Sequence, residues 1–350
     1  MVINFGTASA AIPGPDDAES DDDQVWSASA HGVAPLIALA PMDAAGERID
    51  RIAAQLFSQH SRARIQAWIE DGRLSIDGKP ANARSKLRGG EQLSLDPAPD
   101  PASMAFLPEP IDFPVLYEDA TVIVIDKPAG LVVHPAVGNW SGTLLNGLLH
   151  RYPELRALPR GGIVHRLDKD TSGLMVVART PEAQTDLVRQ LQARSVSRRY
   201  LALCWGRPAS RSVDAAIGRD PRERTRMAVV SHGKPAVTHI NCVATVDFDA
   251  AGGPVSLIEC RLETGRTHQI RVHASHIGFA LIGDPAYGNP RRTRLDRELL
   301  PHQALHAWRL AFDHPADQSR PELHTAPPAD FVALAERLGL ASALAALGDD

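Results

Sequence analysis

The stretch GGIVHRLDKDTSGLMVVART, residues Gly161 to Thr180, decides how the rest of this chain is read. Two apolar runs, Ile163-Val164 and Leu174 to Ala178, flank a polar loop that gathers His165, Arg166, Asp168, Lys169, Asp170, Thr171 and Ser172. Short apolar runs bounded by turn residues read as buried strands. Polar groups concentrated between two such strands are groups that a rigid scaffold can hold in place. A carboxylate beside two cations stays ionised at neutral pH, ready to act as a base or a nucleophile. The residues by themselves also suit a structural ion-pair turn.

Downstream of the loop, Thr180-Pro181-Glu182 opens a helix with proline at its first position. Val196 to Trp205, Val237 to Val246 and Val255 to Leu262 return to strand, and Thr267 to Ile277 reads as a helix stopped by Gly278. Upstream, VLYED, TVIVIDKPAG and LVVHP are short strands between turn residues, and Thr143 caps a helix carrying Leu144, Leu145, Leu148 and Leu149. Strands outnumber helices without alternating strictly with them. The fold class is therefore α+β around a mixed, mainly antiparallel central sheet, with a small α/β module in front.

That module occupies residues 46–96. Ile49, Ile52, Ala53, Leu56 and Phe57 fall on one helical face; Ser61 caps a second helix with Ile65, Trp68 and Ile69 inward and Gly72 as its stop. Leu74 and Ile76 alternate up to the tight turn Asp77-Gly78, and Leu93 and Leu95 form a second short strand. Six prolines between residues 97 and 114 predict an extended linker. The expected plan is an acidic disordered tail (1–45), the small module (46–96), the linker (97–114), a large domain (115–325) and a terminal helix or tail (326–350) that includes Phe331 to Leu347.

Charge is unevenly spread. The net formal charge of the 350-residue chain is −5, yet residues 1–45 hold seven acidic groups and no Lys or Arg, leaving +2 for the remainder. Residues 189–226 carry ten arginines against three acids, a stretch able to neutralise phosphates. Arg48, Arg51, Arg62, Arg64, Arg73, Lys79, Arg84, Lys86 and Arg88 decorate the small module, whose polar face is a candidate RNA surface. A hydrophobic share of 44% with 23% charged residues is ordinary for a globular chain. No apolar run approaches the roughly 18 residues of a membrane span, and Met1 to Pro15 has no basic region ahead of its apolar residues. A soluble, cytoplasmic monomer without membrane contact is expected. Cys204, Cys242 and Cys260 lack CxxC spacing, so neither a disulfide framework nor a thiolate zinc site is expected. His268, His273 and His276 do not share one helical face, so no metal site is expected. With no Walker loop or dinucleotide glycine pattern, no cofactor is expected either.

Gly161 to Thr180 resembles the signature of the RluA-type pseudouridine synthases, which isomerise uridine in RNA to its C-glycoside. The resemblance continues through HPAVGNWSGTLLNGLLHRYP upstream and SRRYLALCWG, IGRDPRERTRMAVVSHGKPAVTH, LETGRTHQIRVHASHIG and LIGDPAYG downstream, roughly residues 115 to 310. Glu47 to Leu95, centred on SRARIQAWIEDGRLSIDGKP, resembles the RNA-binding domain named after the small-subunit ribosomal protein S-four. The two together resemble the RluD subgroup, which modifies the helix 69 hairpin of large-subunit ribosomal RNA. By position, the resemblance makes Asp168 the catalytic aspartate, Tyr200 the active-site tyrosine and Arg271 the cation that pairs with the aspartate. It makes Arg166 a residue that moves on binding, a candidate either to brace the gap left by a flipped base or to contact a phosphate, and it implies a large-subunit ribosomal RNA or pre-ribosomal particle as partner. His165, Arg62, Arg64, Lys79, Arg198, Arg199 and Arg266 complete the expected RNA-contacting set, although His165 reads first as a hydrogen-bonded structural histidine. The alternatives are an RluC-like synthase acting on other uridines of the same RNA, a non-catalytic assembly factor and a metal-dependent hydrolase.

Overall fold

The computed structural model describes residues 35–97, 101–136, 138–248 and 253–348. Among these residues, one unit runs to Phe106 and a second begins at Leu107.

The small unit contains β1 (Leu36–Leu39), α1 (Ile49–Leu56), α2 (Arg62–Glu70), β2 (Leu74–Ile76), β3 (Lys79–Pro80) and β4 (Gln92–Leu95). Its antiparallel sheet has the order β1-β4-β2-β3. Ile49, Ile52, Ala53, Phe57, Ile65, Trp68 and Ile69 bury one helical face each against Leu74, Leu93 and Leu95. Asp77 and Gly78 both have positive φ, 47° and 76°, the backbone that a two-residue hairpin turn requires. The expected tail boundary at residue 45 is corrected here. Leu36 to Leu39 pair with β4 residue for residue, and Leu36 and Ala38 pack on the core. Four apolar residues are too few for alternation to stand out from a featureless tail. Residues 1–34 lie outside the described residues.

Asp50 on α1 is wholly buried and receives Arg48 Nε at 3.0 Å, Arg62 Nη2 at 2.8 Å and Gln66 Nε2 at 2.6 Å. Burial pushes its carboxyl up, but the bonds from Arg48, Arg62 and Gln66 outweigh that and hold it well below the usual carboxylate range. A depressed carboxylate stabilises the fold above its unfolded pKa, about 3.9, and that contribution is lost as pH falls through the folded value. We predict that Asp50→Ala destabilises the small unit by about 1–3 kcal/mol, since the two arginines it abandons are half-exposed and water can solvate them. Hydrogen exchange across α1 and α2 checks this; unchanged protection would contradict it.

The large unit is built on one nine-stranded sheet. In chain order its elements are β5 (Val115–Glu118), β6 (Val122–Lys127), α3 (Leu144–Arg151), β7 (Ser172–Ala178), α4 (Pro181–Gln192), β8 (Ser197–Trp205), β9 (Arg211–Asp214), β10 (Ile217–Arg219), β11 (Met227–Val229), β12 (Val237–Phe248), β13 (Gly253–Leu262), α5 (Gln269–His276), α6 (Thr293–Leu299), β14 (Leu305–Ala311), β15 (Glu322–His324), α7 (Ala329–Arg337) and α8 (Ala341–Ala346). The main order is β5-β6-β7-β14-β8-β13-β12-β9, with β15 on β14, while β10 and β11 form a separate two-stranded ribbon. Only β7 and β14 run parallel; every other pair is antiparallel. Leu144, Leu145 and Leu148 of α3 and Ile270 and Ala274 of α5 join one core. Ala183 and Leu187 of α4 seal a second with β6 and β7, and Phe331 and Leu334 of α7, with Leu338 just beyond its end, seal a third around Trp205 and Trp308.

Three readings of this unit change. LVVHP is not a strand: Val132 and Val133 turn their carbonyls to the N–H groups of Leu144 and Leu145, which α3 leaves without helical partners. The linker shortens, because Leu107 O accepts from Asn146 Nδ2 at 2.8 Å, Glu109 N–H donates to Asn146 O, and Phe113 is buried. Nor is the segment extended throughout: Pro101–Phe106 form a short 3-10 helix, and beyond it these bonds and the buried Phe113 fix the chain to the large unit. The C-terminal region is two helices, and their burial against Trp205 and Trp308 makes them part of the large unit instead of a tail.

Gly173 opens β7 where it meets β14: its φ is +113°, and a Cβ there would lie 2.2 Å from Ala307 O. Gly130 has φ +87° but nothing within 4 Å. Alanine at 130 should cost only the left-handed backbone penalty, about 1–2 kcal/mol. Gly173→Ala should cost at least twice as much, because the β7–β14 pair must also part. Urea melts of the two variants check the ranking, and equal losses would refute the close-approach argument.

Candidate active site

The Asp168 turn is pinned by backbone carbonyls and one buried cation. Thr171 N–H donates to Asp168 O at 3.1 Å, and Gly130 N–H to Lys169 O at 2.9 Å. Lys127, fully buried at the end of β6, donates its ammonium to the carbonyls of Pro128, Leu131 and Lys169 at 2.8–2.9 Å. Burial pushes Lys127 down to about 7, with Asp168, Asp170 and Asp126 pulling the other way. His165 accepts the Val176 N–H through Nε2 at 3.2 Å, and burial beside Arg198 lowers it to about 3. It is a neutral histidine that ties the loop to β7.

Arg271, on α5, carries the centre of the site. Its Nη1 donates to Asp168 Oδ2 at 2.9 Å, while Nε and Nη2 grip Asp284 Oδ2 and Oδ1 at 2.8 and 3.0 Å. Asp284 is itself fixed, since Oδ1 also accepts from the N–H groups of Ala286 and Tyr287. Burial pushes the Asp168 carboxyl up; His268, Arg271 and Arg166 more than reverse it, and the carboxyl is held below its ordinary range. Burial lowers His268, so at neutral pH the standing positive charges acting on Asp168 are the guanidinium groups of Arg271 and Arg166. Asp168 keeps 16% of its side chain exposed against 6% for Arg271 and none for Asp284. Asp168 and Arg271 both line the cleft, with the carboxylate the more open of the two, and Asp284 lies behind them.

Tyr200 lies on β8, opposite Cys260 of β13 and Ala307 of β14, and lines the same cleft. Arg198, two residues earlier on the same face of the strand, and Arg266, whose Nε donates to Pro235 O at 3.2 Å, line it too. Arg166 stands exposed at its edge. Arg199 points to the opposite face of β8 and pairs with Glu259 at 3.5 Å. In the small unit, Arg62 is engaged by Asp50, Arg64 stacks on Trp68 with 5.8 Å to the ring centroid, and Lys79 is exposed on β3. The arginine-rich stretch is also partly neutralised, with Arg194 on Glu263, Arg207 on Asp247 and Arg226 on Glu223.

Asp284, Tyr287 and His268 were not singled out as site residues from sequence. Asp284 and Tyr287 sit inside the LIGDPAYG block, and His268 was weighed only as a zinc ligand. In the fold His268 turns to Tyr287, whereas His273 bonds Thr238 Oγ1 and Ala215 O. Among the described residues no cluster of three His, Cys, Asp or Glu side chains is placed to hold a metal ion, and no helix is long and apolar enough to cross a membrane.

A buried guanidinium clamping an ionised carboxylate at a cleft, on a mixed sheet with an exposed arginine alongside, is an arrangement for acid–base or nucleophilic work on an anionic polymer. The family model for RNA pseudouridylate synthase matches residues 121–276, and the S4 domain model matches residues 47–93. The ribosomal large subunit pseudouridine synthase D of Neisseria meningitidis serogroup B is 46% identical over 338 residues, 94% of this chain and 89% of the relative. That of Pseudomonas aeruginosa is 50% identical over 302 residues, 83% and 92% of the two chains. The solved structure of human RNA pseudouridylate synthase domain containing 1 is 30% identical, with a TM-score of 0.49 over 63% of this chain and 85% of that one. The chain belongs to the RNA pseudouridylate synthase family.

The clamp makes a pH prediction. A carboxylate held below its ordinary range stays ionised as pH falls, so the wild-type rate of pseudouridine formation should be flat from neutrality to about pH 5. Lysine cannot reproduce the guanidinium fork that spans both aspartates. In Arg271→Lys the desolvated Asp168 should titrate higher and the acid limb should move up. Single-turnover rates from roughly pH 4.5 to 8 test this; coincident acid limbs would count against it.

Proposed function

We propose that this chain converts uridine to pseudouridine in large-subunit ribosomal RNA, with the helix 69 hairpin as its target and Asp168 as the reactive group. The observation that carries the reading is the Asp168–Arg271–Asp284 chain: an ionised carboxylate at the cleft with Oδ2 held by Arg271 and Oδ1 3.9 Å from His268 Nε2. The names of the relatives support the RNA class, and the small unit with its basic residues supports an extended contact with structured RNA.

Isomerisation breaks the nitrogen–carbon glycosidic bond, holds the detached uracil while it turns, and closes a carbon–carbon bond at carbon 5. Asp168 has two routes open, removal of a ribose 2′ proton to give a glycal or direct attack on the sugar. Both need the ionised form that Arg271 maintains. Tyr200, on the cleft wall, is positioned to contact the base and to assist loss of the carbon-5 proton, directly or through water. No step calls for a redox or group-transfer cofactor. A stacked base cannot reach Asp168, so the nucleotide must leave the helix at some cost in stacking. The exposed Arg166 is placed to brace the vacated position or to hold a phosphate.

The test incubates wild type and Asp168→Asn with unmodified large-subunit rRNA and with ribosomal particles, and maps pseudouridine by chemical labelling and primer extension. New pseudouridines in helix 69, made by wild type only and indifferent to chelator, are expected. Modification elsewhere in the RNA would move the target while keeping the chemistry; none, despite tight RNA binding, would refute the enzymatic reading.

A further inference from the structure

His268 occupies an unusual place. It stands immediately before α5 with φ +57°, a left-handed conformation rare for a non-glycine residue. The turn leading into it is held by the buried Gln269, whose Oε1 accepts from Thr264 Oγ1 and Arg266 N–H, and whose Nε2 donates to Val237 O and Thr238 Oγ1. Strained backbone that surrounding bonds over-determine is a recurrent feature of functional positions.

The hydrogen bonds suit one tautomer. Tyr287 Oη accepts the Met227 N–H at 2.9 Å and lies 2.8 Å from His268 Nδ1. With the amide on one lone pair, the phenol can give its own hydrogen to Nδ1, and the neutral imidazole that accepts it carries its hydrogen on Nε2. Burial, Arg271 and Arg166 favour the neutral ring, with Asp168 and Asp284 pulling the other way. Nε2 faces Asp168 Oδ1 across 3.9 Å, too far for a direct bond. One hydroxyl oxygen about 2.8 Å from each atom would bridge them, accepting from His268 and donating to Asp168.

Resting on the function proposed above, we infer that His268 is a specificity residue that reads the ribose 2′-hydroxyl of the target nucleotide. Either route brings C1′ or C2′ of that ribose to Asp168 Oδ1, and the hydroxyl nearest those carbons is the 2′-OH. The group that tells RNA from DNA is thereby held between a fixed donor and the reactive carboxylate. Tyr287 is a positioning residue in this scheme: it holds the imidazole, and its own anchor is Met227, the first residue of β11, which pairs with Arg219 at the turn end of the basic ribbon.

The experiment uses the full chain and synthetic large-subunit rRNA fragments in which wild type makes pseudouridine, carrying either uridine or 2′-deoxyuridine at the converted position. Wild type should bind the deoxy fragment roughly 10- to 100-fold more weakly, because the hydroxyl's bonds to both His268 and Asp168 are lost. His268→Asn, which tolerates the left-handed backbone but has no donor at the Nε2 position, should narrow that preference by roughly 2- to 10-fold, leaving the part that the Asp168 bond supplies. His268→Gln, which keeps an amide donor near that position, should restore part of the preference, and a merely structural role would not produce such rescue. If His268→Asn discriminates the two fragments as wild type does, the inference is wrong. If wild type makes no pseudouridine in any fragment, the proposed function fails and this inference falls with it.

Discussion

One guanidinium shared between two aspartates is the constraint on which this site depends. An unpaired arginine is costly to bury, and an unpaired aspartate equally so. Asp284 resolves the first problem with two bonds to Arg271 and takes two backbone N–H groups for itself. That leaves Nη1 free to engage Asp168 without being drawn out of the protein. The gradient of exposure from Asp284 through Arg271 to Asp168 follows from this order: the deepest group is the most saturated, and the shallowest keeps one oxygen for chemistry. A lone Asp168–Arg271 pair at the same depth would satisfy only part of the guanidinium fork.

The same logic governs the turn that presents Asp168. Backbone carbonyls in a tight loop beside a sheet need donors, and Lys127 supplies three from one buried ammonium. His165 supplies an acceptor to β7 from within the polar loop. Two residue types usually associated with catalysis are thus structural here. Their value to the reaction is that the carboxylate arrives on a rigid element, with little reorganisation left to do.

Much of this was legible in the sequence because strong local signals coincide with the elements that matter. Apolar runs and turn residues placed β7, β8, β12, β13 and α5, and the polar loop between apolar runs marked the region of the site, whereas only the family resemblance separated Asp168 from Asp170. What was not legible falls into two groups. Leu36 to Leu39 and the Leu107 to Pro114 strap become structure only through distant partners, β4 and Asn146, that no local pattern announces. Asp284, Tyr287 and His268 acquire their roles by meeting Arg271 and Met227 across the fold, and His268 spelled a metal candidate only because nearby histidines share its chemistry. Arg199 shows the converse error: adjacent to Tyr200 in sequence, it is turned away from the cleft by the two-residue period of the strand.

The ribbon of β10 and β11 joins these threads. It stands outside the main sheet, carries Arg219 and Arg226 with Arg222 and Arg224 between its strands, and packs through Ile217 and Met227 on Tyr287. Arg226 also lies over the Tyr287 ring, 5.1 Å from its centroid, on the ring that Arg271 approaches at the same distance. A phosphate that engages the ribbon's arginines therefore loads an element whose first β11 residue sets the Tyr287 hydroxyl, and through it the His268 imidazole. On the function proposed above, contact with the polymer and alignment of the nucleotide would meet at Tyr287, through this amide bond and through Arg226 over its ring. A basic surface placed elsewhere on the sheet would gain the same affinity for RNA without that meeting point, so where the ribbon sits matters as much as the charge it carries.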